Sequence, residues 1–371
     1  MSLLDHIVSE IRSRGPLTVA EFMERALYHP ELGYYTRAQQ RSGRNGDFFT
    51  SVDVGPLFGE AIAVQLAEMW AVLKAAGATT FDVVEAGAGN GRLARDVMDA
   101  AAAHFPDCYS HIRLTLVERS AAARAAQPAT LGPHMACRPL LRSTLPPAIT
   151  GVIFANELLD AFPVHVVTRT TAGLREIVVS EEGGRLVESC REIANRSLEE
   201  YLRAAPGEIP LGARIEVGLA AAQWIQDAAD GLQRGFLLLF DYGHEPGTLY
   251  SAAHPAGTLA SHRGHRGEDA AWLTTPGDRD LTANVDLAAI RRAAGVAGLV
   301  TLAIVDQTYF LLSIGLAARL ETGHDRGAVA RRLAARTLMM PGGLGSTMKV
   351  MVFAKAVGAP RLRGTTPGRL T

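Results

Sequence analysis

The run Glu85-Ala86-Gly87-Ala88-Gly89-Asn90-Gly91 has the residue types and spacing of a ligand-binding loop. An apolar, strand-like segment, Phe81-Asp82-Val83-Val84, leads into it, and a helix-like segment, Arg92-Leu93-Ala94-Arg95-Asp96-Val97-Met98, leads out. Glycines at 87 and 89 permit a backbone turn closed to most residues and let a ligand approach the main chain. A dinucleotide fingerprint, G-x-G-x-x-G, would place its last glycine at position 92, where strand and helix pack closely. Position 92 is Arg, and the third glycine falls at 91. A phosphate-cradling P-loop is excluded as well, because no G-K-[ST] follows.

An acidic residue ahead of the glycines, giving E-x-G-x-G-x-G, is the pattern of class I methyltransferases that use S-adenosylmethionine. On that reading Gly87, Gly89 and Gly91 shape the cofactor loop and Glu85 anchors the polar end of the cofactor. The competing reading is a tight strand-to-helix turn that binds nothing. Glu118 ends the strand-like run Leu114-Thr115-Leu116-Val117. A carboxylate there can accept both ribose hydroxyls, each charged hydrogen bond contributing about 1.5–3 kcal/mol; a bland alternative is a surface Glu capping the next helix near Ser120.

A second group follows the strand-like Gly151–Ala155: Asn156-Glu157-Leu158-Leu159-Asp160-Ala161-Phe162-Pro163. A helix is expected to start there, with Asn156 and Glu157 at the strand's carboxyl edge and Asp160 one turn beyond Glu157 on the same face. Asn156 is assigned to the cofactor and Glu157 to catalysis. Asp160 reads as ordinary helix-start chemistry, where acids are favoured. Asp241-Tyr242-Gly243-His244 ends the strand-like Phe236–Phe240, and Asp241 is a better catalytic candidate than the loop histidine His244. Gly46-Asp47-Phe48-Phe49-Thr50-Ser51 fits a lid or a hydrophobic staple equally.

These groups need a scaffold that brings strand ends together. Strands are expected at Phe81–Glu85, Ile112–Glu118, Gly151–Ala155, Phe236–Asp241, Val300–Asp306 and Lys349–Lys355. Helices are expected after Gly91, Glu118, Asn156 and Asp286. Such alternation predicts a doubly wound α/β sheet, its ligand beyond the carboxyl ends of the strands. Residues 1–78 read as a helical section, with a capping box at Thr18-Val19-Ala20-Glu21 and a long apolar helix from Pro56 to Lys74. Residues 79–359 read as the main domain, with an inserted substrate-side element at about 162–215 that includes a hairpin, Val164–Arg169 and Leu174–Ser180. The tail from Pro360 to 371 reads as disordered.

The 371 residues are 48% hydrophobic and 20% charged, with a net charge of −1. That composition suits an ordinary globular protein with a sizeable core and argues against a broadly basic nucleic-acid surface. Cys108, Cys137 and Cys190 are odd in number and far from any histidine pair, so neither a disulfide framework nor a metal site is expected. No apolar run reaches the length of a membrane span. The opening Met1-Ser2-Leu3-Leu4-Asp5-His6-Ile7-Val8 carries no signal or transit pattern, so a cytoplasmic location is expected.

Over nearly its whole length the chain resembles the MidA-like methyltransferases, which include mitochondrial complex I assembly-factor arginine methyltransferases. The resemblance runs through Leu17–Met23, His29–Tyr35, Gly46–Ser51, Pro56–Glu60, the glycine loop, Asn156–His165 and Asp241–His244. It continues through His265-Arg266, Asp280–Asp286 and Gln307–Leu311. It implies a class I methyltransferase (Rossmann-like) fold, an S-adenosylmethionine cofactor and, in the mitochondrial branch, an arginine acceptor on a respiratory-complex protein. Asp53 stands where the family commonly has Glu, Asn284 stands where many members have His, and no acidic adenine contact is found near Arg138–Arg142. The combined reading is a protein arginine methyltransferase whose helical section serves as a lid or a homodimer face. The alternatives are a small-molecule methyltransferase and a non-catalytic assembly factor on the same fold.

Overall fold

A computed structural model describes residues 1–36, 50–205, 209–251, 253–263, 266–267, 272–320, 325–341 and 343–365. The chain divides into two compact units. One takes the described residues up to 36, together with 159–225 and 243–293; the other takes 50–158, 226–242 and 294–365.

The second unit carries the alternating pattern. Its strands are β1 (Phe81–Ala86), β2 (Ile112–Val117), β3 (Leu140–Arg142), β4 (Ile149–Asn156), β5 (Leu232–His244, in this unit as far as Tyr242), β6 (Val300–Asp306) and β7 (Met348–Lys355). They lie in the order β3-β2-β1-β4-β5-β7-β6. Neighbours from β3 to β5 are parallel. β7 runs antiparallel to both β5 and β6. Continuous apolar runs such as Phe236–Phe240 suit strands covered on both faces. Helices α1 (Leu57–Ala75), α2 (Arg92–His104), α3 (Ala121–Leu131), α4 (Gln307–Ser313) and α5 (Arg326–Met339) belong to this unit. Its core gathers Phe58, Trp70, Phe81, Phe154, Phe236, Phe240 and Phe310, all at most 2% exposed. Burying one such ring contributes about 1.5–3 kcal/mol.

The order of strands reverses between β1 and β4. β2 and β3 continue on one side, β4 and β5 on the other, so the chain diverges at the carboxyl ends of β1 and β4. Ligands of open α/β sheets bind at such a switch point.

The first unit has helices Leu3–Arg14 and Val19–Tyr28, each opened by a capping box, Ser2 with Asp5 and Thr18 with Glu21. Its sheet joins Leu17–Thr18, Gly173–Glu182, His165–Thr170 and Arg214–Val217, with Arg185–Arg191 beside Gly173–Glu182. The expected hairpin is present, closing at Thr170 opposite Gly173. Phe22, Met23, Leu27, Val179 and Trp272 lie in its core.

Three expectations change. The helical section does not stand as residues 1–78: α1 belongs to the unit of the large sheet, while the first two helices share a core with the hairpin region. No helix follows Asn156. Glu157 has φ 51°, a left-handed conformation that stops a right-handed helix at its first residue. Asp160 therefore shares no helical face with Glu157. Its carbonyl instead accepts the Ala283 N–H at 2.9 Å. The disorder expected from Pro360 does not hold for residues 360–365: Leu362 is 1% exposed, and the Gly364 N–H donates to Gln65 Oε1 at 3.1 Å.

Candidate active site

The glycine loop owes its shape to backbone that only glycine adopts without strain. Gly87, Gly89 and Gly91 have φ of 70°, 51° and 86°. The N–H groups of Gly87 and Ala88 both donate to Val117 O, at 2.9 and 3.1 Å, which fastens the loop to the end of β2. At Gly87 an added Cβ would lie 3.0 Å from Leu158 Cδ1, and at Gly91 it would lie 3.1 Å from Leu116 Cδ2. At Gly89 it would meet nothing within 4 Å. Two glycines are thus walled in by protein, and the third faces open space.

Acidic side chains flank that space. Glu85, one residue before the end of β1, is 4% exposed, and its Oε2 has no hydrogen-bond partner. Burial pushes its carboxyl up to about 8; the Ala94 backbone pulls it down, and the Glu118 and Asp96 charges add to the rise. Glu118, just past β2, accepts the Gly89 N–H on Oε2 at 2.9 Å and the Ser120 N–H on Oε1 at 2.7 Å. Each of its oxygens keeps a second lone pair for a ligand.

At the end of β4, Glu157 is held in its left-handed conformation by neighbours on both sides. Its own N–H donates to Phe240 O at 2.8 Å, and the Leu158 N–H donates to Asp241 Oδ2 at 3.1 Å. Its Oε1 accepts from Asn156 Nδ2 at 3.0 Å and from the Ser51 N–H at 3.4 Å. Burial pushes the Glu157 carboxyl up to about 8; the Asn156 and Ser51 hydrogen bonds oppose this, and the Asp241 and Asp53 charges reinforce it. Asn156 Oδ1 is buried without a partner. Asp241 is 1% exposed, and its other oxygen accepts the Tyr242 N–H at 3.0 Å.

All eight expected site residues therefore lie in one unit, on the carboxyl edge of β1, β2, β4 and β5. Asp160 and His244 belong to the other unit. His244 packs its ring 5.4 Å from that of His254. Residues 46–49 and His265, singled out in the sequence, lie outside the described residues.

Two features were missed in the sequence. Arg92, the residue that rules out the dinucleotide fingerprint, donates to Asp53 Oδ1 and to Val52 O, each at 2.9 Å. Asp53 Oδ2 meanwhile caps the Thr50 N–H and hydroxyl, both at 3.0 Å. Gln127 on α3 is fully buried and donates to Gly89 O at 2.8 Å. A run of alanines around it, with no polar pattern, gave no signal.

The residues present fit an adenosyl sulfonium. Glu85 Oε2 and Asn156 Oδ1 are buried acceptors without donors, as an ammonium-bearing ligand requires. The space at Gly89 gives such a ligand access to the main chain.

The family model described as "Putative S-adenosyl-L-methionine-dependent methyltransferase" matches residues 61–305. The chain belongs to this methyltransferase family. It is a class I, S-adenosylmethionine-dependent enzyme of mixed α/β architecture, as the glycine loop led us to expect. It is 30% identical to protein arginine methyltransferase NDUFAF7, mitochondrial, of Bos taurus over 87% of this chain and 76% of that protein. It is 29% identical to the mitochondrial NDUFAF7 homolog of Drosophila melanogaster over 86% and 76%. A Burkholderia thailandensis protein crystallised with S-adenosyl-homocysteine superposes with TM-score 0.89 at 29% identity, covering 99% of this chain and 95% of that one. The cytoplasmic expectation does not stand, because these curated relatives are named as mitochondrial proteins. The N-terminal pattern of the methyltransferase is no warrant for location. Among its described residues no helix is long and apolar enough to cross a membrane.

Proposed function

We propose that this methyltransferase acts on the guanidinium of a protein arginine, with Glu157 as the catalytic carboxylate. The observation that carries this reading is Glu157 itself. It sits at the switch point in a backbone conformation that costs a glutamate about 1–2 kcal/mol, in an enclosure that raises its carboxyl to about 8. The names of the relatives, protein arginine methyltransferases, support the acceptor class.

The cofactor supplies a methyl group on a sulfonium, already activated toward displacement. Gly87, Gly89 and Gly91 shape its seat, Glu118 accepts from the ribose, and Glu85 and Asn156 accept from the ammonium end. The enzyme's remaining tasks are alignment and exclusion of water. A guanidinium is a poor nucleophile while its charge is delocalised over three nitrogens. Glu157, ionised by the arriving cation, draws that charge toward one nitrogen and leaves another to attack the methyl carbon. As the new C–N bond forms and the C–S bond breaks, the methylated group sheds one proton, which Glu157 accepts. Asp241 acts behind it: both its oxygens accept backbone N–H groups, so it holds the 156–158 turn and contributes negative charge.

Incubation of the purified protein with labelled S-adenosylmethionine and host lysate, followed by mass spectrometry, tests the acceptor. Label on arginine in a protein supports the reading. Label confined to small molecules overturns it.

A further inference from the structure

Gly89 is held at both ends of its own backbone. Its N–H donates to Glu118 Oε2 at 2.9 Å, and its carbonyl accepts from Gln127 Nε2 at 2.8 Å. The first contact belongs to a residue already assigned to the ribose. The second comes from α3, an element that no cofactor motif includes.

Gln127 has no surface role, since its side chain is completely buried. Its orientation is fixed by chemistry: facing a carbonyl, only the amide nitrogen can donate. The oxygen is then left buried without a partner. A buried amide that satisfies one end and leaves the other unsatisfied is a costly arrangement for packing alone. An apolar residue of the same shape would avoid it. The same side chain also forms part of the wall at Gly91, where an added Cβ would lie 3.5 Å from Gln127 Cγ.

We propose that Gln127 is a positioning residue for the cofactor: with Glu118 it clamps the Gly89 peptide in the orientation the adenosyl ligand needs, before that ligand arrives. This rests on the assignment of the loop and Glu118 to the cofactor, and adds α3 to the site. Gly89 faces open space, so no side chain restrains it from the ligand side. Without Gln127 the peptide is free to turn, and binding must then order it at the expense of affinity.

Two substitutions separate the hydrogen bond from the volume. Gln127→Met keeps the length and removes the donor. Gln127→Glu keeps the shape and donates only when protonated. In the ligand-free protein, Gln127→Met is expected to speed amide hydrogen exchange across residues 86–91 at least tenfold. S-adenosylhomocysteine affinity, measured by calorimetry, should fall about tenfold, while kcat at saturating S-adenosylmethionine stays within twofold of the parent. That split of KM against kcat is not what general loosening of the fold gives. Gln127→Glu should bind like the parent at the acidic end of the accessible pH range and lose affinity as pH rises, so it decides the matter if Gln127→Met does not fold.

Unchanged exchange in the loop, or affinity within twofold of the parent for both variants at every pH, overturns the clamp. A parent protein that takes up no S-adenosylhomocysteine would instead overturn the cofactor assignment, and the exchange comparison still judges the clamp.

Discussion

The loop after β1 and the turn after β4 meet one backbone demand with opposite residues. Gly89 and Glu157 both sit at φ 51°. Glycine takes that conformation without penalty, whereas glutamate pays about 1–2 kcal/mol. At position 89 a side chain would obstruct the open space beside the loop, and none is present. At position 157 glycine would be the cheaper choice, and a carboxylate is present all the same. The strain at 157 is held in place by contacts through Phe240 O and Asp241. Of the two strand ends, one is shaped by what must be absent and the other by what must be present.

The largest effect expected from this contrast is at Glu157. Glu157→Gln keeps the shape and removes the base, so methyl transfer should fall at least ~100-fold, the usual scale for a lost proton acceptor. S-adenosylhomocysteine affinity by calorimetry should stay within about threefold, since a carboxyl-to-amide swap removes no ammonium or ribose contact of the proposed kind. Turnover above a tenth of the parent's would remove Glu157 from the chemistry.

Gly89→Ala adds a methyl group to the open side of the loop. It should weaken S-adenosylhomocysteine uptake about tenfold, equivalent to ~1.4 kcal/mol. Equal affinity in the variant would mean that the space is not the cofactor's.

The backbone half of the contrast is sharpened by two variants that both lack the carboxylate. Glu157→Gly should be more stable in urea than Glu157→Ala by about 1 kcal/mol, the reverse of the usual order of these residues. Were alanine the more stable of the two, no strain would reside at this position.

The last test is a slope with pH. Glu85 and Glu157 retain their protons in the folded chain up to about 8, well above the ordinary glutamate range that applies in the unfolded chain. Between those limits the folded chain holds more protons than the unfolded one, so stability falls as pH rises. The melting temperature of the ligand-free protein should decline over this window, and Glu85→Gln or Glu157→Gln should each flatten part of the decline. A rising melting temperature that neither variant alters would place both carboxyls in water.

Most of the sheet was legible because strands buried on both faces have continuous apolar runs, and these have few competing readings. β3 was not, since Leu140–Arg142 is three residues long and mostly exposed. The glycine loop was legible because positive φ leaves a mark in composition. The turn at 156–158 was misread for the opposite reason. Asn-Glu-Leu-Leu-Asp has the look of a helix start, and the distant pairings of Glu157 with Phe240 and of Leu158 with Asp241 overrule it. Gln127 was invisible among alanines because its role depends on which carbonyl α3 faces. The segment after Pro360 misled through its Arg, Gly and Pro content, while buried Leu362 and the Gly364 N–H bonded to Gln65 seat it.

The placement of β7 bears on how the protein is made. Residues 348–355 slot between β5 and β6, hydrogen-bonded along both sides. Until that stretch has left the ribosome, β5 has one open border and β6 has no strand to pair with among the described residues. Pairings of such sequence separation form slowly, and open borders invite association with other chains. A product cut short before residue 348 is therefore expected to be captured by chaperones or to precipitate, even though every residue of the glycine loop would already be in place.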